Sequence, residues 1–500
     1  MAVAPHVHRA TLITRRALLA GASGGAWAAA GCAVTSPQPV RVTLLVLAPE
    51  SAGRVARMLA WNRRFEQQTG AHLEPAPLPA VRTGAGAGLG VPPDMAQAAL
   101  DAVVAGGTSQ PAIAWMPFDA LPRLALRRAV RPLEPLARAE RTNLKVFMPA
   151  ALQPAYGLDA QLYALPEEID AGQLYFNRQH VLEAGIEYRR AGLDFERPRN
   201  TWAALRQTAL DLQVARVSRE RLPWHPGAAG LPLELWGWLN GGGWLTPDGR
   251  RATFAREENV AALEWLVRHA AELGGPEGLR TAGPMPSLTA QGAGGDDPEI
   301  HPLLVGRVSM YFDSTRLVSA IAGARPGFPL GFVESPRRRD DAPLMTWSRV
   351  AGYALLRGAP DAGWPALQFL VSEDAATVDA AVDSLGAPLA GTGTDGPPRL
   401  PAAGRRQWYP AYTGQLKVDR TLARRYRTEA RLLDEAHDHG LEQLRHARFR
   451  ERSPAAEQVW PLLEEARRRA LHGTPVREAL ETAGHAAQAA LDAAWGKTGG

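Results

Sequence analysis

Cysteine is almost missing: the 500 residues hold one, Cys32. A single cysteine excludes a disulfide framework within the chain. Lysine is scarce too, confined to Lys145, Lys417 and Lys497, so arginines spread along the chain carry the net charge of +5. The densest basic run, Arg337-Arg338-Arg339, is followed at once by Asp340-Asp341. No basic stripe carries interleaved aromatics, which removes the usual reason to expect a nucleic-acid partner. Beyond the first 32 residues no apolar run approaches the ~20 residues that span a bilayer. Gly (49) and Pro (41) are plentiful but follow no period, excluding a collagen-like repeat.

The motifs of common chemistries are also lacking. Gly21-Ala22-Ser23-Gly24-Gly25 fits the serine-hydrolase formula, but it lies in an apolar N-terminal stretch, not on a strand-to-helix elbow. Gly496-Lys497-Thr498 has Leu491 where a phosphate loop needs glycine, and residues 84–90 lack the third glycine of a dinucleotide fingerprint. Glu435, His437, Asp438 and His439 crowd together in sequence, but His437 and Asp438 are adjacent and diverge on a helix, so no metal is expected. Glu167 and Glu168 are too close in sequence to flank a glycosidic bond from opposite sides. No cofactor is expected.

What is present begins with the setting of Cys32. Arg9, Arg15 and Arg16 precede a weakly apolar stretch from Ala17 to Ala30, which ends in Ala29-Ala30-Gly31-Cys32. A charged segment, a short apolar segment and small residues before a cut site define a secretory signal. Thr14-Arg15-Arg16-Ala17-Leu18-Leu19 resembles a twin-arginine signal, and Ala-Ala-Gly-Cys resembles a bacterial lipobox. The expectation is a signal over residues 1–32, a lipid on Cys32 and a tether over residues 33–39.

Val40 to Ala48 is an apolar, β-rich run, followed by a helical face and a second extended segment from His72 to Pro77. Strand–helix–strand order of this kind indicates an α/β lobe with parallel strands. Further strands are expected at 112–116, 161–166, 173–177, 308–312, 330–333 and 350–356. Helices are expected at 202–212, 259–272 and 362–371, and through most of the chain beyond Thr421. Glu50, Asp119 and Asp313 follow strands, where ligand groups of open α/β sheets collect.

From about residue 40 to 390 the chain resembles family 1 extracellular solute-binding proteins, the receptors of bacterial ABC importers. The resemblance rests on a string of short motifs in order. They include Phe65-Glu66-Gln67-Gln68-Thr69-Gly70, Pro111 to Pro117, Leu162-Tyr163-Ala164-Leu165-Pro166, Leu174-Tyr175-Phe176-Asn177, Asn240-Gly241-Gly242, Gly306-Arg307-Val308-Ser309-Met310 and Gly352-Tyr353-Ala354-Leu355. Trp347-Ser348-Arg349 departs from the pattern, which has smaller residues there.

The resemblance implies a two-lobe α/β fold with a hinge and an interlobe cleft that closes on ligand. Lobe 1 is expected from 40–160 and 308–358, lobe 2 from 161–307 and 359–500. It further implies an exported, lipid-anchored monomer. Such a receptor hands a sugar to an ABC permease and makes or breaks no bond. An anionic solute such as a glycerol phosphate diester, or a secreted enzyme acting on glycans, stand as alternatives.

The 14 tryptophans fit a sugar, whose C–H faces stack on aromatic rings while its hydroxyls meet acids, amides and arginines. Trp236, Trp238 and Trp244 flank a Gly-rich turn, and Trp347 and Arg349 lie near a strand. These, with Glu50, Asp119 and Asp313, form the expected ligand set. Trp202 and Trp265, at helical spacing among apolar neighbours, are expected in the core.

Overall fold

A computed structural model of the chain describes residues 40–46, 61–75 without 63, 112–187, 193, 200–216, 221–226, 232–277, 302–315, 317–318, 329–380, 412–425 and 431–496. Cys32, the arginine-bearing segment before it, the tether and Glu50 lie outside the described residues.

Eight strands carry the fold: β1 (Val40–Val46), β2 (Ala71–Pro75), β3 (Ile113–Pro117), β4 (Ala164–Asn177), β5 (Met310–Ser314), β6 (Leu330–Val333), β7 (Thr346–Leu355) and β8 (Ala447–Arg448). The main order is β2-β1-β3-β7-β4-β5, with β6 also on β4 and β8 on β7. β1 pairs parallel with both β2 and β3, as strand–helix–strand order requires. β7 runs antiparallel between β3 and β4.

β4 is the longest strand at 14 residues and changes partners midway. Its first half, Ala164 to Ala171, pairs with β7; its second half, from Gly172, pairs with β5 on one side and β6 on the other. The expected strands at 161–166 and 173–177 are thus one strand, continuous through the polar stretch Glu167 to Asp170 that separates its apolar ends. The register slips between Pro166 and Glu168, a bulge that re-aims Glu167.

The apolar side chains form two buried clusters. The first gathers Val42, Phe65, Leu73, Ile113, Phe118, Leu165, Ile169, Tyr353 and Leu367. The second gathers Leu174, Phe176, Trp202, Trp224, Trp236, Leu263, Phe312, Val333, Trp460 and Leu480. β4 feeds both, Ile169 and Ala171 into the first and Leu174 and Phe176 into the second. At the changeover Gly172 lies against the Trp347 indole, and a Cβ there would overlap the ring.

These clusters divide the chain differently from the expected boundaries. β5 and β6, expected in lobe 1, bury their side chains in the second cluster because they hydrogen-bond to the second half of β4. The helix Gly363–Leu370, expected in lobe 2, buries Trp364, Ala366 and Leu367 with Leu355 in the first, where Tyr412, Leu441 and Leu444 join it. The helices Ala456–Leu471 and Val476–Gly496 do belong to the second.

Helix starts follow local chemistry. The Thr201 hydroxyl accepts from the Ala204 N–H at the head of Trp202–Ala215, and Asn177 caps the helix after β4 in the same way. Among the described residues, no helix is long and apolar enough to cross a membrane.

Candidate functional site

The residues of interest lie where the two clusters meet. β3 ends at Pro117, and the short turn Phe118–Ala120 that follows presents Asp119. Phe118 is fully buried and fixes the turn, while Asp119 keeps 39% of its side-chain surface. Protein crowding around this carboxyl raises its pKa above the usual range; the guanidiniums of Arg450 and Arg349 pull it back.

Arg450 links both clusters. Its guanidinium is 3.8 Å from Asp119, on the first-cluster side, and its Nε is 2.5 Å from Oε1 of Glu234. Glu234 stands on the helix Leu233–Leu239, whose apolar residues belong to the second cluster. The Arg450 guanidinium also covers the Trp460 ring at 5.3 Å. Burial opposes the Arg450 charge, but Glu234, Asp119 and Glu464 together outweigh it and raise its pKa. The chain reaches this position from β8, which pairs parallel with Thr346 and Trp347 of β7. Arg452, two residues on, donates to the carbonyls of Tyr156 and Gly157, fastening the segment to the first-cluster side.

On the strand that leads to Asp119, Trp115 is only partly buried, and its indole N–H donates to Glu167, the bulged residue of β4. Tyr353 of β7 donates its hydroxyl to the other Glu167 oxygen at 3.0 Å. Three strands thus hold one carboxylate.

The expected ligand residues separate into groups. Asp119 and Arg349 come together, as their electrostatic coupling shows. Trp238 and Trp347 are 3% and 4% exposed, and their faces meet guanidiniums: Arg448 lies 4.5 Å from the Trp238 ring and Arg349 lies 4.7 Å from the Trp347 ring. The Trp238 N–H donates to Glu451 at 2.9 Å. Expected as stacking platforms, both rings are instead buried here, each with a guanidinium against a face.

Trp236 and Trp244 are corrected as well, being buried in the second cluster. Trp236 stacks on Trp265 at 5.2 Å, and Trp244 meets Phe254 edge-on. The Gly-rich turn beside them serves packing, since Cβ atoms at Gly237 and Gly242 would strike Trp244 or Asn259. Trp202 joins the same stack, within 4.9 Å of both Trp236 and Trp265. Asp313 lies in the sheet opposite Gln173, 6% exposed, accepting from the Ser314 N–H.

Glu234, Arg450 and Glu451 escaped the sequence reading, which named Glu167 only to reject it as half of a glycosidase pair. The signal for Arg450 was present: Arg448, Arg450 and Arg452 alternate at the period of an extended chain, inside a region otherwise read as helical. Glu234 carried none, because nothing local marks an acid on an apolar helix as the partner of a residue 216 positions later. Among the described residues, no group of His, Cys, Asp and Glu is arranged to hold a metal.

Two buried cores joined by a strand shared between sheets make a two-lobe α/β fold, and solved structures share it. No family model and no curated protein sequence matches the chain. An ABC transporter solute-binding protein from Thermotoga lettingae TMO, bound with alpha-D-tagatose, superposes with a TM-score of 0.61 at 17% identity, over 90% of this chain and all of that one. The cyclic alpha-maltosyl-1,6-maltose binding protein of Arthrobacter globiformis gives 0.63 at 17% identity, over 91% and 100%. UgpB of Mycobacterium tuberculosis, in complex with glycerophosphocholine, gives 0.62 at 14% identity, over 92% and 99%. The chain has the fold of ABC-transporter solute-binding proteins.

Proposed function

We propose that this protein is an extracytoplasmic receptor that captures a sugar or oligosaccharide between its two lobes and passes it to an ABC importer. The lobes are the two buried clusters, and β4, β7 and the 447–455 segment are the crossings about which they move. The observation that carries the reading is the Asp119–Arg450 pair, with 39% and 32% of side-chain surface accessible, where residues of both clusters meet. A hydrogen-bonding acid and guanidinium, with a partly buried indole on the strand that leads to the acid, supply what hydroxyl groups and a sugar face require. Arg349 completes the polar side, and no bond is made or broken. The sugars named for two of the similar structures agree with this chemistry. Export with a lipid on Cys32 would hold the receptor at the membrane that carries its permease, as a monomer.

The test is a thermal-shift screen of the purified protein across neutral sugars and organic anions, since a ligand that binds only the folded state raises its melting temperature. A neutral mono- or oligosaccharide should raise it, and Asp119→Ala should weaken that sugar about tenfold or more, as loss of a hydrogen bond to a charged group implies. Failure of every sugar, with an anion active instead, overturns the reading. Mass analysis of the native protein checks the anchor: unmodified Cys32 would remove it.

A further inference from the structure

Glu234 has no place in the reading above, yet it is a carboxylate with 1% of its surface exposed, on an otherwise apolar helix. Burying such a charge is costly unless a counter-charge meets it. The counter-charge is Arg450, 2.5 Å away, the same guanidinium that reaches toward Asp119. Glu464 and Glu451 stand near enough to Glu234 to act on it, and Glu464 acts on Arg450 too. Glu464 is itself held by Arg467 at 2.7 Å, and Asp119 also feels Arg349, so Glu234 remains as the partner that takes up the Arg450 charge. Its neighbour Arg448 is likewise taken, pairing with Glu451 at 3.0 Å.

We propose that Glu234 is a specificity-determining positioning residue: it aims Arg450 at the ligand and cancels its charge, so that the site takes uncharged, hydroxyl-rich ligands and rejects phosphates. The proposal rests on the interlobe site assigned above and names its ligand class. A guanidinium whose Nε is already held by Glu234 has its remaining N–H groups to offer as donors. Donors without net charge suit hydroxyl oxygens. A phosphate entering the same place would find Arg450, Arg349 and Arg467 already balanced by Glu234, Asp119 and Glu464, with no spare cation to offset the carboxylates, and like-charge approach of that kind is a standard means of excluding a wrong ligand.

The experiment measures binding of inorganic phosphate and glycerol 3-phosphate, beside the sugar found in the screen, by calorimetry on the full chain. In the wild type neither anion should bind at millimolar concentration. Glu234→Gln keeps the shape and removes the charge; it should gain at least tenfold in affinity for both anions, and the double variant Glu234→Gln/Arg450→Gln should lose that gain. Asp119→Asn, at a more accessible position, should show a smaller gain in the same direction and serves if Glu234→Gln does not fold. Tight phosphate binding by the wild type overturns the proposal, as does a folded Glu234→Gln with wild-type selectivity. If no sugar binds the wild type but Glu234→Gln still gains the anions, the charge-cancelling role stands and only the sugar assignment falls.

Discussion

The two cores are built of different material. The first mixes aliphatic side chains with phenylalanine and tyrosine, and Trp61 and Trp364 are its only buried tryptophans among the described residues. The second holds Trp202, Trp224, Trp236, Trp238, Trp244, Trp347 and Trp460, with Trp265 against them. Within it, Trp202, Trp224, Trp236 and Trp265 stack with His269 in one connected group. A surplus of tryptophan in the sequence therefore marks how one core is filled far more than where a sugar stacks. Burial of so many large rings also concentrates polar N–H groups and imidazoles in the second core: His269 and His225 are both pushed down to about 4, chiefly by burial, and stay neutral.

The contrast can be broken most directly at Trp224. It is fully buried, with ring contacts to Trp236, His269 and Phe312. Trp224→Ala should cost about 3–5 kcal/mol, as large aromatic truncations do. Denaturant melts give the total, and hydrogen exchange should show protection lost first in the second cluster. Equal loss in both clusters would mean that the two cores fold as one.

Next in size is a buried charge beside the second core. Glu334, just after β6, is fully buried, and burial lifts its carboxyl to about 7, with Arg337 offsetting little at 3.9 Å. Between the ordinary Glu value near 4.5 and about 7, the folded state holds a proton that the unfolded state has lost, so this group's contribution falls as pH rises through that window. Glu334→Gln should match the wild type at pH 4. It should exceed it by roughly 3 kcal/mol at pH 8, since a tenfold change in proton affinity on folding is worth about 1.36 kcal/mol. Urea midpoints across that range decide it; a gap independent of pH would refute the assignment.

A smaller effect separates packing from hydrogen bonding at Trp238. Trp238→Phe keeps a ring under Arg448 but removes the N–H bond to Glu451, a loss of about 1.5 kcal/mol for a bond to a charged acceptor. Trp238→Leu, which also removes the aromatic face, should cost more; if the two are equal, the guanidinium contact contributes nothing. Smallest of all, Arg339→Ala breaks an ion pair with Asp341 whose partners are 75% and 73% exposed, and should leave the melting midpoint unchanged.

Much of the fold was legible because its signals are local. The parallel β1 and β2, the strand at Met310–Ser314, the amphipathic helix Glu257–Glu272 and the Thr201 cap all follow from periodicity and end chemistry. Which buried cluster a segment joins is less local, because it depends on which half of β4 a distant strand pairs with. Of the candidate site, Asp119 was named for its place after a strand and Arg349 for its guanidinium, and the two share one electrostatic neighbourhood. Trp236 and Trp244 were misplaced because a tryptophan beside glycine reads the same whether the glycine admits a ligand or admits the indole. Glu234 and Arg450 come together only through tertiary packing.

Gly172 and Trp347 carry a consequence for how this sequence can drift. The indole fills the space that any side chain at 172 would need, at the point where β4 passes from one core to the other. Neither position can change first without harm: a larger residue at 172 collides with the ring, and a smaller residue at 347 leaves a hole beside a bare backbone. Viable descendants must alter both together or neither. Among proteins of common ancestry, the glycine and the tryptophan should appear and disappear as a pair, while the surrounding β4 residues vary independently.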